Sequence, residues 1–151
     1  MKKMKEFRKI SVIGLGLIAS SICLTLRQKD PTIKLVGYDK DKVVRNRAKK
    51  IGLCKVESNL DNAVSGSELI ILCVPVGQMQ AVTQRLKRII EPGTTITDVG
   101  SVKLSVIEEI EPNIESVGGQ YVPSHPIAGT ERSGPDAGYA GLFEGRWCCL
   151  L

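Results

Sequence analysis

The sequence predicts an α/β fold, a doubly wound and mostly parallel sheet with helices on both faces, and three observations predict it. Strand-like runs of β-branched residues alternate with helix-like runs along most of the chain, joined by connections of a few residues. The aliphatic runs are continuous, as strands buried on both faces require. Only 4% of residues are aromatic, so Ile, Val, Leu and Ala must build the core.

Ile10 to Ile13 reads as a short strand stopped by Gly14. Leu17 to Lys29 reads as a helix closed by Asp30-Pro31, because the residue before a proline avoids the α region. Ile33 to Tyr38 is a second strand. Asp39 or Asp41 caps the next helix, which runs to about Lys50 and ends at Gly52. Leu53 to Ser58 is ambiguous and has room for a short third strand, and Asn59 to Ser65 makes one or two helical turns. Glu68 to Val74 is the clearest buried strand. A helix from about Gln78 to Ile90 stops at Glu91-Pro92-Gly93, followed by a strand at Thr94 to Val99, a helix at Val102 to Ile110 and a short strand at Gln120 to Pro123. This order predicts a parallel sheet with right-handed crossovers. After Ser124 the pattern breaks. His125 to Gly145 is rich in Gly and Pro and reads as an irregular functional loop, and Arg146 to Leu151 reads as a last strand.

A length of 151 residues suits one domain covering the whole chain, with residues 1–8 as a flexible basic arm. The net charge of +5 comes largely from Met1 to Lys9 and Lys40 to Lys50, and no nucleic-acid-binding motif accompanies it. A mild positive field suits an anionic cofactor and substrate instead. The basic start followed by the apolar run Ile10 to Leu26 imitates a signal peptide, but two glycines inside that run have a better explanation. No other stretch approaches membrane-spanning length, so no membrane partner is expected. The five cysteines show no CxxC spacing, which argues against a disulfide framework and against a metal site. Cys23 and Cys73 lie in apolar runs, where a free thiol acts as a small hydrophobe. A reduced, cytoplasmic protein is expected.

Gly14-Leu15-Gly16-Leu17-Ile18-Ala19 is a G-x-G-x-x-A sequence that follows a predicted strand and opens a predicted helix. Gly14 permits the tight turn, Gly16 lets a pyrophosphate approach the backbone, and Ala19 allows close helix–strand packing. Leu17 and Ile18 open the helix whose free N–H groups face the phosphates. Asp39, 23 residues after Gly16, has the spacing of the carboxylate that binds the adenosine ribose of a Rossmann domain. A carboxylate there repels a 2′-phosphate, which favours NAD over NADP, although Lys40 and Lys42 supply charge that would tolerate one.

Three further segments fall where strand ends should line the ligand crevice. They are Cys73 to Val76, which places Val74 and Pro75 beside the cofactor; Thr97 to Lys103; and Ser124 to Glu131. The last holds the only histidine, His125, between prolines. An imidazole there suits proton exchange with a substrate hydroxyl. Ser101 reads first as a helix N-cap and alternatively as a contact to substrate or cofactor.

Together, Gly-Leu-Gly-Leu-Ile, Gly-Tyr-Asp, Cys-Val-Pro-Val, Thr-Asp-Val-Gly-Ser-Val-Lys and His-Pro-Ile-Ala-Gly-Thr-Glu-Arg-Ser-Gly-Pro resemble the prephenate dehydrogenase family, also called cyclohexadienyl or arogenate dehydrogenases. The resemblance implies NAD-dependent oxidative decarboxylation of prephenate, or of arogenate, in tyrosine biosynthesis. It makes His125 and Ser101 catalytic, and it places Ser101, His125, Thr130 and Glu131 at the substrate. Ala19-Ser20 stands where the family usually carries two glycines. The resemblance also implies a C-terminal helical domain that forms a homodimer and completes the substrate site. That domain is expected to be missing here, so activity is expected to be impaired. The alternatives are a non-catalytic dinucleotide-binding remnant and a dehydrogenase of other specificity on the same fold.

Overall fold

The structure is a computed structural model that describes residues 6–151. Its centre is a six-stranded parallel sheet in the order β3-β2-β1-β4-β5-β6. The strands are β1 (Lys9–Ile13), β2 (Lys34–Tyr38), β3 (Lys55–Val56), β4 (Leu69–Leu72), β5 (Thr95–Asp98) and β6 (Gln120–Val122). The intervening helices are α1 (Leu17–Lys29), α2 (Lys42–Lys50), α3 (Leu60–Val64), α4 (Val76–Leu86) and α5 (Lys103–Glu115). The order reverses between β1 and β4, which makes the topological switch point where open α/β sheets bind ligands.

Alternation along the strands divides the core between two faces. Ile13, Ile70, Leu72 and Ile96 pack with Met79 and Leu86 of α4 and with Val106, Ile110 and Ile114 of α5. On the other face Ile10, Val12, Leu35 and Ile71 pack with Ala19 and Cys23 of α1 and Ala48 of α2. Ala19 is fully buried there, as its place in the glycine motif requires.

Some boundaries differ from the sequence reading. Helix α5 continues past Ile110 through Pro112 to Glu115. Proline removes one backbone donor but sits in the last turn here, and the buried Ile110 and Ile114 hold the helix on either side of it. Helix α4 starts two residues earlier than expected, directly after Pro75, and ends at Leu86. Asp41, not Asp39, caps α2, its side chain accepting from the Val43 amide at 2.8 Å. Of the expected basic arm, residues 1–5 lie outside the described residues. The Arg8 amide donates to Glu68, and its carbonyl accepts from Lys34 at 2.8 Å.

The segment after Ser124 is more ordered than a loop. Ser124–Pro126 forms β7, which pairs antiparallel with β8 (Cys148–Leu150) and sets His125 opposite Cys149. Between them the chain makes one 3-10 turn at Pro135–Ala137 and returns across α1. The Ser21 hydroxyl accepts from the Tyr139 amide at 3.1 Å, and Thr25 donates to the Ala140 carbonyl at 2.8 Å. Exposed Asp136 pairs with Arg47 of α2, whose hydrogen bond holds the carboxyl below its usual range. A Cβ on Gly138 would lie 2.4 Å from the Ser20 Cβ, so only glycine lets this strand of chain lie so close.

That close approach leaves the Ser20 hydroxyl buried with no hydrogen-bond partner. Desolvating a hydroxyl without compensation destabilises a fold, and Ala is also the better helix former. Ser20→Ala is therefore expected to raise stability by about 1 kcal/mol in urea denaturation. An unchanged or lower midpoint would mean that the hydroxyl is satisfied in solution.

Candidate functional site

The turn from β1 into α1 forms the floor of a cleft of about 390 Å³ at the switch point, walled by Gly14, Leu15, Gly16, Asp39, Val74 and Pro75 among others. Gly14 has φ +89°, and a Cβ on it would stand 2.8 Å from the Cys73 carbonyl carbon and oxygen. Both constraints demand glycine. Gly16 is different: a Cβ there would meet no protein atom within 4 Å, so the space above it is open to a ligand. Gly16 is also the N-cap of α1 and offers no side-chain cap, which leaves the helix N-terminus free for an anion. Leu17 and Ile18 form the half-buried first turn of α1 and are not among the cleft walls.

Asp39 stands at the end of β2. Its carboxylate accepts from the Leu15 amide at 2.9 Å through one oxygen and from the Asp41 amide at 2.9 Å through the other. Each oxygen keeps acceptor capacity for a further donor. Arg45 lies beneath this corner, donating to the Asp39 and Lys40 carbonyls at 2.7 and 2.9 Å. On the opposite wall the Cys73 thiol is pushed up to about 12, by burial and then by the charge of Asp98, and is an inert neutral group.

The expected chemical residues lie beyond this cleft, at the ends of β5 and β6, and none of them is among its walls. Ser101 is exposed and does not cap α5. Val102 holds that position, with no side-chain cap, so the N-cap role first read for Ser101 is corrected. Its hydroxyl faces solvent on the turn after β5. His125 is half-buried in β7. Its neighbours Ser124 and Pro126 line an apolar cavity of about 450 Å³ beside Phe7, Ile22 and Phe143, so strand alternation turns the imidazole to the other side. Thr130 and Glu131 are exposed, and the Thr130 hydroxyl accepts from the Arg132 amide at 3.2 Å.

Asp98, inside the Thr-Asp-Val-Gly-Ser-Val-Lys motif, was not singled out from the sequence, and it joins these two segments. The residue is fully buried. One carboxylate oxygen accepts from the Tyr121 hydroxyl at 2.8 Å and the Ser124 amide at 3.3 Å. The other accepts from the Gly100 amide at 2.8 Å and is paired with the Lys103 ammonium. Lys103 also donates to the Ser124 carbonyl at 2.6 Å, and the Ser124 hydroxyl donates to the Asp98 carbonyl at 2.6 Å. Burial first, and then the hydrogen bond to Asp98, push the Tyr121 phenol up, which keeps it a donor. Among the described residues no group of three or more His, Cys, Asp or Glu is placed to hold a metal, and no helix is long and apolar enough to cross a membrane.

A parallel sheet with its glycine turn at the switch point and a carboxylate at the end of the second strand defines a Rossmann-like nucleotide-binding domain. A family profile described as prephenate dehydrogenase, nucleotide-binding domain, matches residues 22–151. A cyclohexadienyl dehydrogenase from Zymomonas mobilis is 41% identical over 142 residues, covering 93% of this chain and 48% of that protein. A prephenate dehydrogenase from Lactococcus lactis is 31% identical over 144 residues, covering 95% of this chain and 40% of its own length. Among solved structures, a prephenate dehydrogenase from A. aeolicus in complex with hydroxyphenyl propionate and NAD+ matches with a TM-score of 0.86 at 26% identity, over 99% of this chain and 51% of that one. The arogenate dehydrogenase of Synechocystis matches with a TM-score of 0.84 at 27% identity, over 94% and 49% respectively. The chain therefore belongs to the prephenate dehydrogenase family, and it spans about half the length of these relatives.

Proposed function

We propose that this chain is the NAD-binding part of a dehydrogenase that oxidatively decarboxylates prephenate or arogenate in tyrosine biosynthesis. The observation that carries the cofactor reading is the Asp39 carboxylate, tied to the glycine turn through the Leu15 amide and facing the same cleft as Gly14 and Gly16. Gly16 and the uncapped start of α1, with Leu17 and Ile18, would hold the pyrophosphate. Asp39 would accept the ribose hydroxyls, Val74 and Pro75 would flank the bound dinucleotide, and Ser101 would reach toward its nicotinamide. When bound, NAD supplies the electron-pair acceptor of the reaction.

The chain's own residues would then work on the substrate side. Ser101 would orient the substrate hydroxyl, and the His125 imidazole would accept its proton as the carbon bearing it is oxidised. Cleavage of the bond to the ring carboxylate returns an electron pair to the ring, which becomes aromatic as carbon dioxide leaves. Prephenate would give 4-hydroxyphenylpyruvate. That step runs strongly downhill, so positioning and a base are what the protein must provide. Thr130 and Glu131 would belong to the polar mouth of the substrate site. Pairing into a homodimer belongs to the same proposal, as does a cytoplasmic location, which the five free cysteines fit.

Following NADH absorbance with prephenate, arogenate and simple 2-hydroxy acids tests the activity. Turnover of the first or second alone supports it, turnover of 2-hydroxy acids points to another specificity, and NAD binding with no turnover points to a binding remnant. The cofactor reading has its own test. Asp39→Ala is expected to weaken NAD by about tenfold, the loss of a charge-assisted hydrogen bond, and to narrow its advantage over NADP. An unchanged preference in fluorescence titrations with the two cofactors would remove Asp39 from the ribose site.

A further inference from the structure

Ser101 and His125 lie on separate segments, the turn after β5 and the short strand β7, and neither touches the other in the hydrogen bonds of the structure. Both segments are fastened to one buried group. The Asp98 carboxylate takes the Gly100 amide, next to Ser101, on one oxygen and the Ser124 amide, next to His125, on the other. Lys103 closes the ring from α5 by bonding the same carboxylate and the Ser124 carbonyl. Gly100 is part of this arrangement, because a Cβ on it would fall 2.9 Å from an Asp98 oxygen and displace the carboxylate. A fully buried charge that takes up its hydrogen bonds from two functional segments, each one residue from the group in question, does more than fill a core.

We propose that Asp98 is a positioning residue, which sets the Ser101 turn and the His125 strand in a fixed relation to each other. This rests on the reading of Ser101 and His125 as the chemical groups of the site. It assigns Asp98 no contact with substrate or cofactor. Asp98 acts through backbone amides, so its loss leaves both groups present but out of register.

The test uses the single imidazole. His125 is the only histidine in the chain, so the imidazole ring-proton signals in an NMR spectrum of the intact chain report on it alone. Asp98→Asn puts a donor where two N–H groups need an acceptor, and it is expected to shift and broaden those signals while NAD affinity stays within a few-fold. Gly100→Ala provides the second variant, keeping the charge but pushing the carboxylate aside, and the same change in the His125 signals is expected although residue 100 is far from it in sequence. Thr83→Ala is the control, since it removes a fully buried hydroxyl that bonds only the Met79 carbonyl on α4, and it is expected to leave the signals in place. His125 signals that superimpose on those of the unsubstituted chain in a folded Asp98→Asn or Gly100→Ala protein would overturn the proposal. So would a Thr83→Ala protein that moves them equally. With turnover, kcat falls toward the ~100-fold loss that a 1 Å misplacement brings, at an unchanged KM for NAD. The signals are read without turnover, so a chain that binds NAD and turns nothing over would point to a binding remnant and leave the role of Asp98 to be decided by them.

Discussion

Gly14→Ala is expected to abolish measurable NAD binding and to lower stability by about 3 kcal/mol. Two costs add. An L-residue at φ +89° is strained by about 1–2 kcal/mol. The new methyl would also stand 2.8 Å from the Cys73 carbonyl and 3.0 Å from the Val74 amide, both backbone atoms of the neighbouring strand end, which have little freedom to move. Overpacking of that kind costs about 1–3 kcal/mol. Relief comes by pushing the turn away from β4, and the turn carries both the Leu15 amide that holds Asp39 and the approach to Gly16. Calorimetric titration with NAD and urea denaturation check the two halves of this result. A folded Gly14→Ala chain that binds NAD normally would show that the turn has room which its geometry denies. Gly16→Ala makes the contrast: a methyl there meets no protein atom, so it is expected to spare stability and to weaken only the cofactor.

His125→Asn should remove about 10²–10⁴-fold of any turnover while leaving NAD affinity within a few-fold. Asparagine fills similar space and still forms hydrogen bonds, but it takes up no proton near neutral pH. The residue stands in β7 and not among the walls of the cofactor cleft, so the titration with NAD has no reason to change. A large loss of cofactor binding would instead assign His125 to the support of that cleft. A variant with full turnover would pass the base to another group.

The glycine turn and the cleft that it floors were legible from the sequence because their constraints are local. Gly14 and Gly16 sit within one turn, and Asp39 follows at the end of the next strand. The turn's need for φ above zero, for close approach and for a free helix end each selects a residue type. Asp98 was not legible for the opposite reason. Its partners Tyr121 and Ser124 are 23 and 26 residues away, and a buried carboxylate looks like any other Asp until those contacts exist. The same distance hid the pairing of β7 with β8, whose Gly- and Pro-rich connection reads as irregular although its two ends form a ladder. The end of α5, read at Ile110, lies further on, at Glu115. Proline usually ends a helix, but the burial of Ile110 and Ile114 against the sheet outweighs one missing hydrogen bond.

β1, which precedes the other described strands in chain order, lies in the middle of the sheet, and this has a consequence for how the polypeptide assembles. β1 finds β2 soon after emerging from the ribosome, but its other edge pairs with Leu69–Leu72. At ordinary synthesis rates of about 5–20 residues per second, that edge of Ile10–Ile13 waits several seconds for its neighbour. An unpaired aliphatic edge invites association with other nascent chains. The cleft over the glycine turn closes only when β4 docks and brings Cys73 to Pro75 into its wall, so a nucleotide can be captured no earlier than that event.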